Sequence, residues 1–559
     1  MAGRAPQAAR PATVAPRYAS TQSPRSASTI AALVEANRDK ARYRSPREQE
    51  IRRNRFLVGA SGLVVLVLLV GFCNRGDSSD GDAKTTASKK TVVVTKPAAS
   101  GLAATSAYKG WVDPASSGTP WSTKVVGQIT FRGNPTRSYY GLGPVPKHPK
   151  VQWSYPESGG MCANSPVGGA NKTWCGSGWT GQPSVWVQPK TKQEWLAVGA
   201  YDKNIHFWDP KTGENRLEPH DMQDIIKGSV TRDPDGYPLL YSGSRHNFEI
   251  LALDRDDGVP ETLWTMTAKD VSPTKWNDDW DGSALVIDDY LFEGGENGQF
   301  HIVKLNRKMV DGKVAVDPKI VFHAPGWDDQ LTSDLSGSGA RVNDVSIENS
   351  VAISGNTVYF SNSGGLLQGW DITDLKKDPQ SVKRTFRFWT GDDTDASVVI
   401  DKKGYLYIGQ EVERDSTSAR SQEVGQLVKL DPRKPDDPIV WSIKDPNGIW
   451  ATPAISDGVV VAPTDSGRIV GVDQETGKIL WEKKLAGPTW SSPVIVDKVW
   501  VQGDCAGILH GFDFSKPRTE PKELWRVDLE GCVESTPTVF KGQIFVGARG
   551  GKFYAMGDN

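Results

Sequence analysis

The chain has 559 residues with 57 Gly, 36 Pro and 20 Trp, which excludes a helical bundle or coiled coil and predicts several domains or a repeat architecture. The formal net charge of -1 is unevenly distributed, because residues 1–55 carry twelve Lys and Arg against four Asp and Glu, a net +8, which leaves 54 against 63, a net -9, for the remainder. The main body is therefore acidic, which argues against nucleic acid binding.

The N-terminal part predicts a membrane anchor. Residues 1–55 are rich in Ala, Pro, Arg and Ser and predict a disordered basic tail in the cytoplasm. Residues 56–73 are eighteen residues without a charge, near the lower limit for a membrane-spanning helix. Arg52, Arg53 and Arg55 precede this stretch, so the N-terminus lies inside and the rest of the chain outside the cell membrane. A cleaved signal peptide is the alternative, but the segment before the apolar stretch of a signal peptide is usually short.

Two segments separate the anchor from the repeats. Residues 74–106 are rich in Ser, Thr, Ala and Lys and predict a flexible spacer. Residues 107–149 contain no repeat and predict an irregular lead-in to the next domain.

From about residue 150 the sequence repeats itself. The clearest copy, residues 452–485, divides into four short β runs separated by turn residues, with Asp near the end of the third run and Trp on the fourth. Eight copies over roughly 410 residues give about 51 residues per unit, the size of one propeller blade. The copies begin near Gln182, Gly228, Gly282, Asn349, Asp395, Thr452, Ser492 and Thr536.

The last copy stops before its fourth strand. Residues 150–155 (KVQWSY) precede the first full copy and resemble a fourth strand with its own Trp153. Pairing of this strand with the last copy would close the ring and remove exposed sheet edges. The sequence therefore predicts an all-β, eight-bladed propeller over residues 150–559; seven blades is the alternative, because the copies near 282 and 349 are long.

The repeat resembles a known family. The block GVDQETGKILWE at 471–482 is similar to the repeat of pyrroloquinoline-quinone (PQQ) type propellers, in which Asp, a Thr-Gly turn and Trp lock adjacent blades. The stretches 131–141 and 276–298 also resemble bacterial membrane-anchored quinoprotein-like propellers. This resemblance implies either a quinone-dependent dehydrogenase or a non-enzymatic scaffold of the BamB type, an outer-membrane assembly factor. The enzymes often carry an adjacent cysteine pair, which this sequence lacks.

Four cysteines follow the predicted anchor, and an even number outside the cell predicts disulfides. In the repeat map, Cys505 lies between the second and third strands of one blade and Cys532 lies just before the next blade, so both loops share one face of the ring. We therefore expect Cys505–Cys532 and, across a short insertion, Cys162–Cys175. The sequence contains no C-x-x-C spacing of the kind that indicates a metal site.

Acidic and Trp residues recur in the loops before first strands, which would face the mouth of the central channel. Clustered carboxylates suit Ca²⁺, and tryptophans stack on sugars or planar cofactors. Turn formation and packing between blades explain the same residue types. The candidate ligand residues are Trp179, Trp276, Asp278, Asp279, Asp281, Glu348, Asn349, Asp392, Asp393, Asp395, Trp450 and Trp490. The possible Ca²⁺ ligands among them are Asp278, Asp279, Asp392 and Asp393.

The sequence favours a membrane-anchored, extracytoplasmic propeller that acts as a binding or scaffold protein in the bacterial cell envelope. Its expected partner is a protein or an envelope polymer, with no cofactor, and the oligomeric state is open. One alternative is a dehydrogenase dependent on PQQ and Ca²⁺; another is a carbohydrate-binding or carbohydrate-active propeller. No catalytic residue of the dehydrogenases can be matched to a position in this sequence, so the interpretation leans away from an enzyme.

Overall fold

Antiparallel β-sheets dominate the computed structural model, which describes residues 108–179, 181–412 and 418–558. Eight of these sheets are the blades of a propeller, so the prediction of eight blades is confirmed and the seven-bladed alternative is wrong. Each predicted copy begins two to four residues before the first strand of its blade. The period of the sequence repeat is therefore the period of the fold.

Within each blade the first strand lies nearest the central channel and the fourth lies outermost. The strands of blades 1–4, in order, are Ser184–Val187, Glu194–Gly199, Asn204–Trp208 and Asn215–Asp221; Thr231–Arg232, Leu239–Gly243, Asn247–Ala252 and Glu261–Thr267; Leu285–Ile287, Tyr290–Gly294, Gln299–Lys304 and Lys319–Pro325; Ala352–Ser354, Thr357–Phe360, Leu366–Asp371 and Lys383–Trp389. The strands of blades 5–8 are Val399–Ile400, Leu406–Gly409, Leu427–Leu430 and Ile439–Ile443; Ala454–Ser456, Val459–Pro463, Arg468–Asp473 and Ile479–Lys484; Val494–Val496, Val499–Gly503, Ile508–Asp513 and Glu523–Asp528; Thr538–Phe540, Gln543–Gly547, Phe553–Gly557 and Lys150–Tyr155.

The remaining elements lie outside the four-stranded pattern. The additional strands are Gly127–Gln128 and Gly141–Leu142, the hairpin Cys162–Ser165 with Lys172–Cys175, and the hairpin Lys308–Val310 with Lys313–Ala315. Among the described residues, the helices are Asp329–Ser338 and Ser418–Val424, with 3₁₀ turns at Pro114–Ser116, Val167–Gly169 and Pro379–Ser381.

Blade 6 explains why the sequence block repeats. Asp473 accepts hydrogen bonds from the backbone N–H and the hydroxyl of Thr476, both at 2.8 Å, which fixes the turn between the third and fourth strands. Trp481 then lies over Gly471, where a β carbon would stand only 1.9 Å from the indole ring. The Trp481 indole N–H donates to the carbonyl of Pro517 in the next blade at 2.8 Å. In blade 6 the Asp therefore fixes a turn, the Gly makes room for the Trp, and the Trp joins this blade to the next.

The ring closes as predicted. Residues 150–155 pair antiparallel with Phe553–Gly557 and complete blade 8. Trp153 packs against Trp208 of blade 1, with ring centroids 5.7 Å apart. Its indole N–H donates to the carbonyl of Pro210 at 3.0 Å. Both ends of the propeller sequence therefore share one sheet.

Residues 127–142, here called the axial plug, lie inside the ring. Gly127 pairs with Trp186 of blade 1, and Gly141 pairs with Val539 of blade 8. Other backbone atoms of the plug bond to the first strands of further blades. In each hydrogen bond a backbone N–H of the blade donates to a carbonyl of the plug. The donors and acceptors are Arg232 of blade 2 and Ile129 at 2.8 Å, Ile353 of blade 4 and Pro135 at 2.8 Å, and Ile400 of blade 5 and Thr136 at 3.0 Å.

Two buried arginines attach the plug to the remaining blades. Arg132 donates to the carbonyls of Pro453 and Pro493, which precede the first strands of blades 6 and 7, at 2.7 and 2.5 Å. Arg137 donates to Ser283 before blade 3 at 2.7 Å. The plug thus contacts all eight blades, whereas the sequence predicted only an irregular lead-in.

The two faces of the ring differ. The face that carries the loops before first strands and between second and third strands is here called the disulfide face, because Cys505–Cys532 joins two such loops there. Cys162–Cys175 also forms, so both predicted pairings are confirmed. On the opposite face, Val112 pairs with Gly355 in a loop between first and second strands, so the chain reaches the plug from that side.

The predicted tail, anchor and spacer, residues 1–106, lie outside the described residues. Within the described ranges, no helix is long and apolar enough to span a membrane.

Candidate functional site

A buried ammonium group lies among three carboxylates on the disulfide face. Lys227 Nζ is 3.0 Å from Asp279 Oδ2, 2.6 Å from Asp281 Oδ2 and 2.6 Å from Glu296 Oε1. Lys227 precedes blade 2, the two aspartates precede blade 3, and Glu296 joins the second and third strands of blade 3. These four residues are called the Lys227 cluster. Arg245 approaches from the rim, with its Nε 3.3 Å from Asp279 Oδ1.

The charges of the Lys227 cluster determine its protonation. Burial disfavours the ammonium, but the surrounding carboxylates outweigh this effect and raise the pKa of Lys227 well above its ordinary value. Burial, together with the neighbouring acids, also raises the pKa of Asp281, and raises that of Glu296 to about 8. Burial and the nearby Asp395 raise the pKa of Glu348 in the same way. The raised pKa of Glu296 favours its protonated form at neutral pH.

Three of the predicted tryptophans meet beside this cluster. The rings of Trp179 and Trp450 are 4.9 Å apart at 90°, and those of Trp450 and Trp490 are 5.2 Å apart at 80°. Trp450 Nε1 donates to Asp395 Oδ2 at 2.6 Å. Lys227 Nζ lies 5.1 Å from the centroid of the Trp179 ring. The three rings pack edge to face, so together they present no flat floor.

A second group of carboxylates lies near blade 5. Oxygens of Asp393, Asp395 and Glu411 all lie within 4.8 Å of one another. Such oxygens are the ligand type that Ca²⁺ prefers. Asp393 also accepts the backbone N–H of Thr394 at 2.7 Å, and Asp392 accepts that of Asp393 at 2.9 Å. These hydrogen bonds place both aspartates in the turn before blade 5.

Two further predicted residues have clear structural contacts. Asn349 donates from its amide to the carbonyls of Ser361 and Thr394, at 3.0 and 2.9 Å, and so joins blade 4 to the loop before blade 5. Glu348 accepts the hydroxyl of Ser346 at 2.6 Å.

Trp276 and Asp278 are more exposed than the Lys227 cluster, although Asn277 between them donates to Glu296 Oε2 at 2.5 Å. Trp276 is 43% exposed. Asp278 Oδ2 lies 2.5 Å from His246 Nδ1. Alternate residues of one loop thus point in different directions, since Asp279 and Asp281 are buried and Trp276 is not.

Lys227 and Glu296 belong to the site but were not among the residues predicted from the sequence. Lys227 stands immediately before the copy that begins near Gly228, which is the position occupied by the predicted acids in other copies. Its side chain is a cation, so it does not belong to the repeated acidic and aromatic residues from which the site was predicted.

Comparisons with known proteins agree with this fold. Residues 423–516 match the family model described as outer membrane protein assembly factor BamB. No curated protein matches the sequence. The quinohemoprotein alcohol dehydrogenase from Comamonas testosteroni is similar, with a TM-score of 0.50, 13% identity and coverage of 77% of this chain and 80% of that chain. A europium-containing methanol dehydrogenase has a TM-score of 0.50, 13% identity and coverage of 77% of this chain and 98% of that chain. BamB from Moraxella catarrhalis has a TM-score of 0.44, 15% identity and coverage of 65% of this chain and 92% of that chain.

At these identities the structural likeness shows the fold alone. The resemblance to PQQ-type propeller repeats that the sequence predicted is confirmed.

Proposed function

We propose that this chain is a membrane-anchored, extracytoplasmic propeller that binds a protein or an envelope polymer through its disulfide face and acts as a scaffold in the bacterial cell envelope. The BamB-like match supports a binding role in general. The uncharged stretch 56–73 behind a basic tail supports the anchor. The two disulfides support an oxidising compartment.

The position of Lys227 is the observation that carries this proposal. A Ca²⁺ ion takes six to eight oxygen ligands at about 2.3–2.6 Å. In the Lys227 cluster, the three carboxylates instead surround an ammonium group at 2.6–3.0 Å. Lys227 therefore occupies the position between these carboxylates, and its ammonium group disfavours a Ca²⁺ ion there beside a planar quinone.

The tryptophans support the same conclusion. A flat tricyclic cofactor stacks on an aromatic face, but Trp179 and Trp450 are perpendicular and Trp450 is nearly perpendicular to Trp490. These three rings therefore offer no flat surface on which such a cofactor could stack. The exposed loops around them are the surface available for a large partner.

The lead-in to the plug leaves this surface uncovered. Residues 108–126 lie against loops of the opposite face, where the Trp111 indole N–H donates to the carbonyl of Ile372 at 2.7 Å and the Ser122 hydroxyl donates to that of Pro234 at 2.5 Å. The disulfide face carries no comparable strap from this segment.

Photo-crosslinking in the native envelope tests this proposal. A photoreactive residue at position 530, an exposed site next to Cys532 on the disulfide face, is expected to crosslink the full-length protein to one reproducible protein or polymer. The same residue at position 402, in a loop of the opposite face, serves as the matched control. Equal crosslinking from both positions, or from neither, would contradict a partner on the disulfide face.

A further inference from the structure

A cavity opens on the disulfide face beside the Lys227 cluster. Its volume is about 560 Å³, within the range of about 300–1,000 Å³ typical of small-ligand sites. It lies between the connection from blade 2 to blade 3 and the connection from blade 3 to blade 4. This cavity is called the Trp276 pocket, and its lining includes Thr274, Trp276, Asn277, Asp278 and Asn343.

Lys275 joins the two connections that form the walls of this pocket. Its Nζ donates to the Thr332 hydroxyl at 3.4 Å and to the Val342 carbonyl at 3.5 Å, and lies 4.9 Å from the centroid of the Trp327 ring. Its backbone N–H donates to the carbonyl of Asn297 at 3.0 Å. Lys275 therefore holds the walls together, and its ammonium group is engaged by the protein itself.

The backbone of Trp276 is strained while its ring remains open to solvent. Its φ is +68°, in the left-handed region that bulky residues rarely adopt, and its side chain is 43% exposed. The guanidinium carbon of Arg341 lies 5.9 Å from the ring centroid, and the neighbouring Asn277 side chain donates to Glu296 Oε2 at 2.5 Å. Strain of this kind persists where the surroundings enforce it, and it is concentrated at functional sites.

The charges at the pocket offset one another. Asp278 Oδ2 lies 2.5 Å from His246 Nδ1. Lys269 is followed in the chain by Asp270, and both are exposed. Two lysines and two aspartates therefore leave no strong excess of either sign beside the aromatic ring. The other polar residues in the lining are uncharged: Thr274, Asn277 and Asn343.

We propose that the Trp276 pocket binds a neutral saccharide. The indole of Trp276 stacks on the apolar face of a sugar ring, and the Thr274 hydroxyl and the Asn343 amide exchange hydrogen bonds with sugar hydroxyls. A peptide fits less well, because apart from Trp276 the lining offers only Ala268 as an apolar anchor. This inference rests on the proposed function, since it names the chemistry of the envelope polymer that the disulfide face binds.

Calorimetric titration of the purified full-length protein, in a detergent without a sugar head group, tests the ligand class. The neutral probes are triacetylchitotriose and cellotriose, and the charged probes of equal length are deacetylated chitotriose and trigalacturonate. One neutral sugar is expected to bind at least tenfold more tightly than both charged sugars. Its affinity should be the same at low salt and in about 0.5 M NaCl, because no ionic contact with the sugar is involved. Undetectable binding of both neutral sugars at millimolar concentration, or equal or tighter binding of a charged sugar, would overturn the proposal.

Variants assign the binding to the pocket. Trp276→Asn introduces a residue that tolerates the left-handed conformation and is expected to weaken binding of the neutral sugar about tenfold through lost stacking. Trp276→Phe keeps an aromatic face and should retain most of the affinity, whereas Asn343→Ala should weaken it severalfold through lost hydrogen bonds. Leu524→Asn, at an exposed apolar residue on the outer strand of blade 7, is the matched control and should bind as the wild type does. Each variant is first checked for an unchanged melting temperature.

Two further results would refute the site: unchanged affinity in both Trp276→Asn and Asn343→Ala, or a neutral Ser-Gly peptide of similar size binding as tightly as the sugar. Because this titration needs no membrane and no partner protein, its failure leaves the crosslinking result at position 530 unaffected.

Discussion

Arg132 and Arg137 of the axial plug are fully buried, and each guanidinium donates to backbone carbonyls before two different blades. Burial lowers the pKa of Arg132 to about 10 and that of Arg137 to about 9. Burial of a cation is costly, but each guanidinium donates hydrogen bonds to carbonyls that water cannot reach. These hydrogen bonds offset the cost of burial. These two residues contribute to holding the ring around the plug.

Replacement of Arg137 should consequently destabilise the whole propeller. Arg137→Ala leaves the carbonyls of Ser283 and Val351 without these donors. Each unsatisfied buried acceptor costs about 1–3 kcal/mol, so we expect a loss of about 3–5 kcal/mol in the free energy of unfolding, measured by urea denaturation. Arg518→Ala, at an exposed arginine, is the control and should change it by less than about 1 kcal/mol. Equal effects of the two substitutions would contradict this role.

Glu293 is the second residue with a testable electrostatic consequence. Burial raises its pKa from 4.5 to about 8, although the charge of Arg137 opposes the shift. Between about pH 4.5 and 8, the folded chain therefore keeps a proton that the unfolded chain has already released. Because the unfolded state binds fewer protons over this interval, this group makes stability fall as pH rises, by about 1.4 kcal/mol per pH unit, and the effect levels off above about pH 8.

Glu293→Gln removes the titrating group. The free energy of unfolding of this variant minus that of the wild type should grow between pH 5 and about pH 8 and then stay constant, in urea denaturation at each pH. Glu157→Gln, at an exposed glutamate, is the comparison variant and is measured at the same pH values. A flat difference for Glu293→Gln would mean that Glu293 titrates normally in the folded chain.

At the level of elements, the strand at residues 150–155 carries the closure of the ring. Trp153 contacts Trp208 of blade 1 and Phe553 of blade 8, with ring centroids 5.7 and 5.9 Å apart. The strand therefore ties the beginning of the propeller sequence both to its end and to the next blade.

Trp153→Ala tests this closure. Truncation of a fully buried Trp costs about 3–5 kcal/mol, and Trp153 is half-buried, so we expect a loss of about 2–3 kcal/mol and a clearly lower melting temperature. Leu524→Ala, an exposed apolar residue on the outer strand of blade 7, is the comparison and should have little effect. An unchanged melting temperature for Trp153→Ala would show that the strand does not stabilise the ring.

Over the whole molecule, local features of the sequence predicted the blades. The Asp473 turn, the close approach of Gly471 to Trp481 and the hairpin at Asp457-Gly458, with φ of +48° and +78°, each involve residues within about fifteen positions of one another. The approach of Gly to Trp recurs in blade 7, where a β carbon on Gly511 would stand 2.1 Å from the Trp525 ring, and such local patterns can be read from one chain. The cysteine pairs were predictable for the same reason, since the repeat map placed Cys505 and Cys532 on one face.

The axial plug and the Lys227 cluster were not predictable in this way. Arg132 and its acceptors Pro453 and Pro493 are separated by 321 and 361 residues, and nothing in the local sequence of 127–142 indicates that it enters a ring. Lys227 meets Glu296 across 69 residues, from a neighbouring blade. These contacts exist only once the ring is closed, so the periodicity of the repeats carries no information about them.

The response to PQQ and Ca²⁺ distinguishes the two functions implied by the resemblance to quinoproteins. A ligand that binds only the folded state stabilises it by about 2.7 kcal/mol at a hundredfold excess over its Kd. A functional PQQ and Ca²⁺ site would therefore raise the melting temperature by several degrees, whereas a scaffold without such a site would not respond to these ligands.

The most direct measurement is thus the melting temperature of the purified full-length protein with PQQ and Ca²⁺ together, with each alone and with neither, alongside a dye-linked assay of alcohol oxidation. We expect no rise that requires both ligands and no oxidation. A rise of many degrees that requires both ligands, is lost in Asp279→Asn and is accompanied by alcohol oxidation would contradict the scaffold role and identify a dehydrogenase.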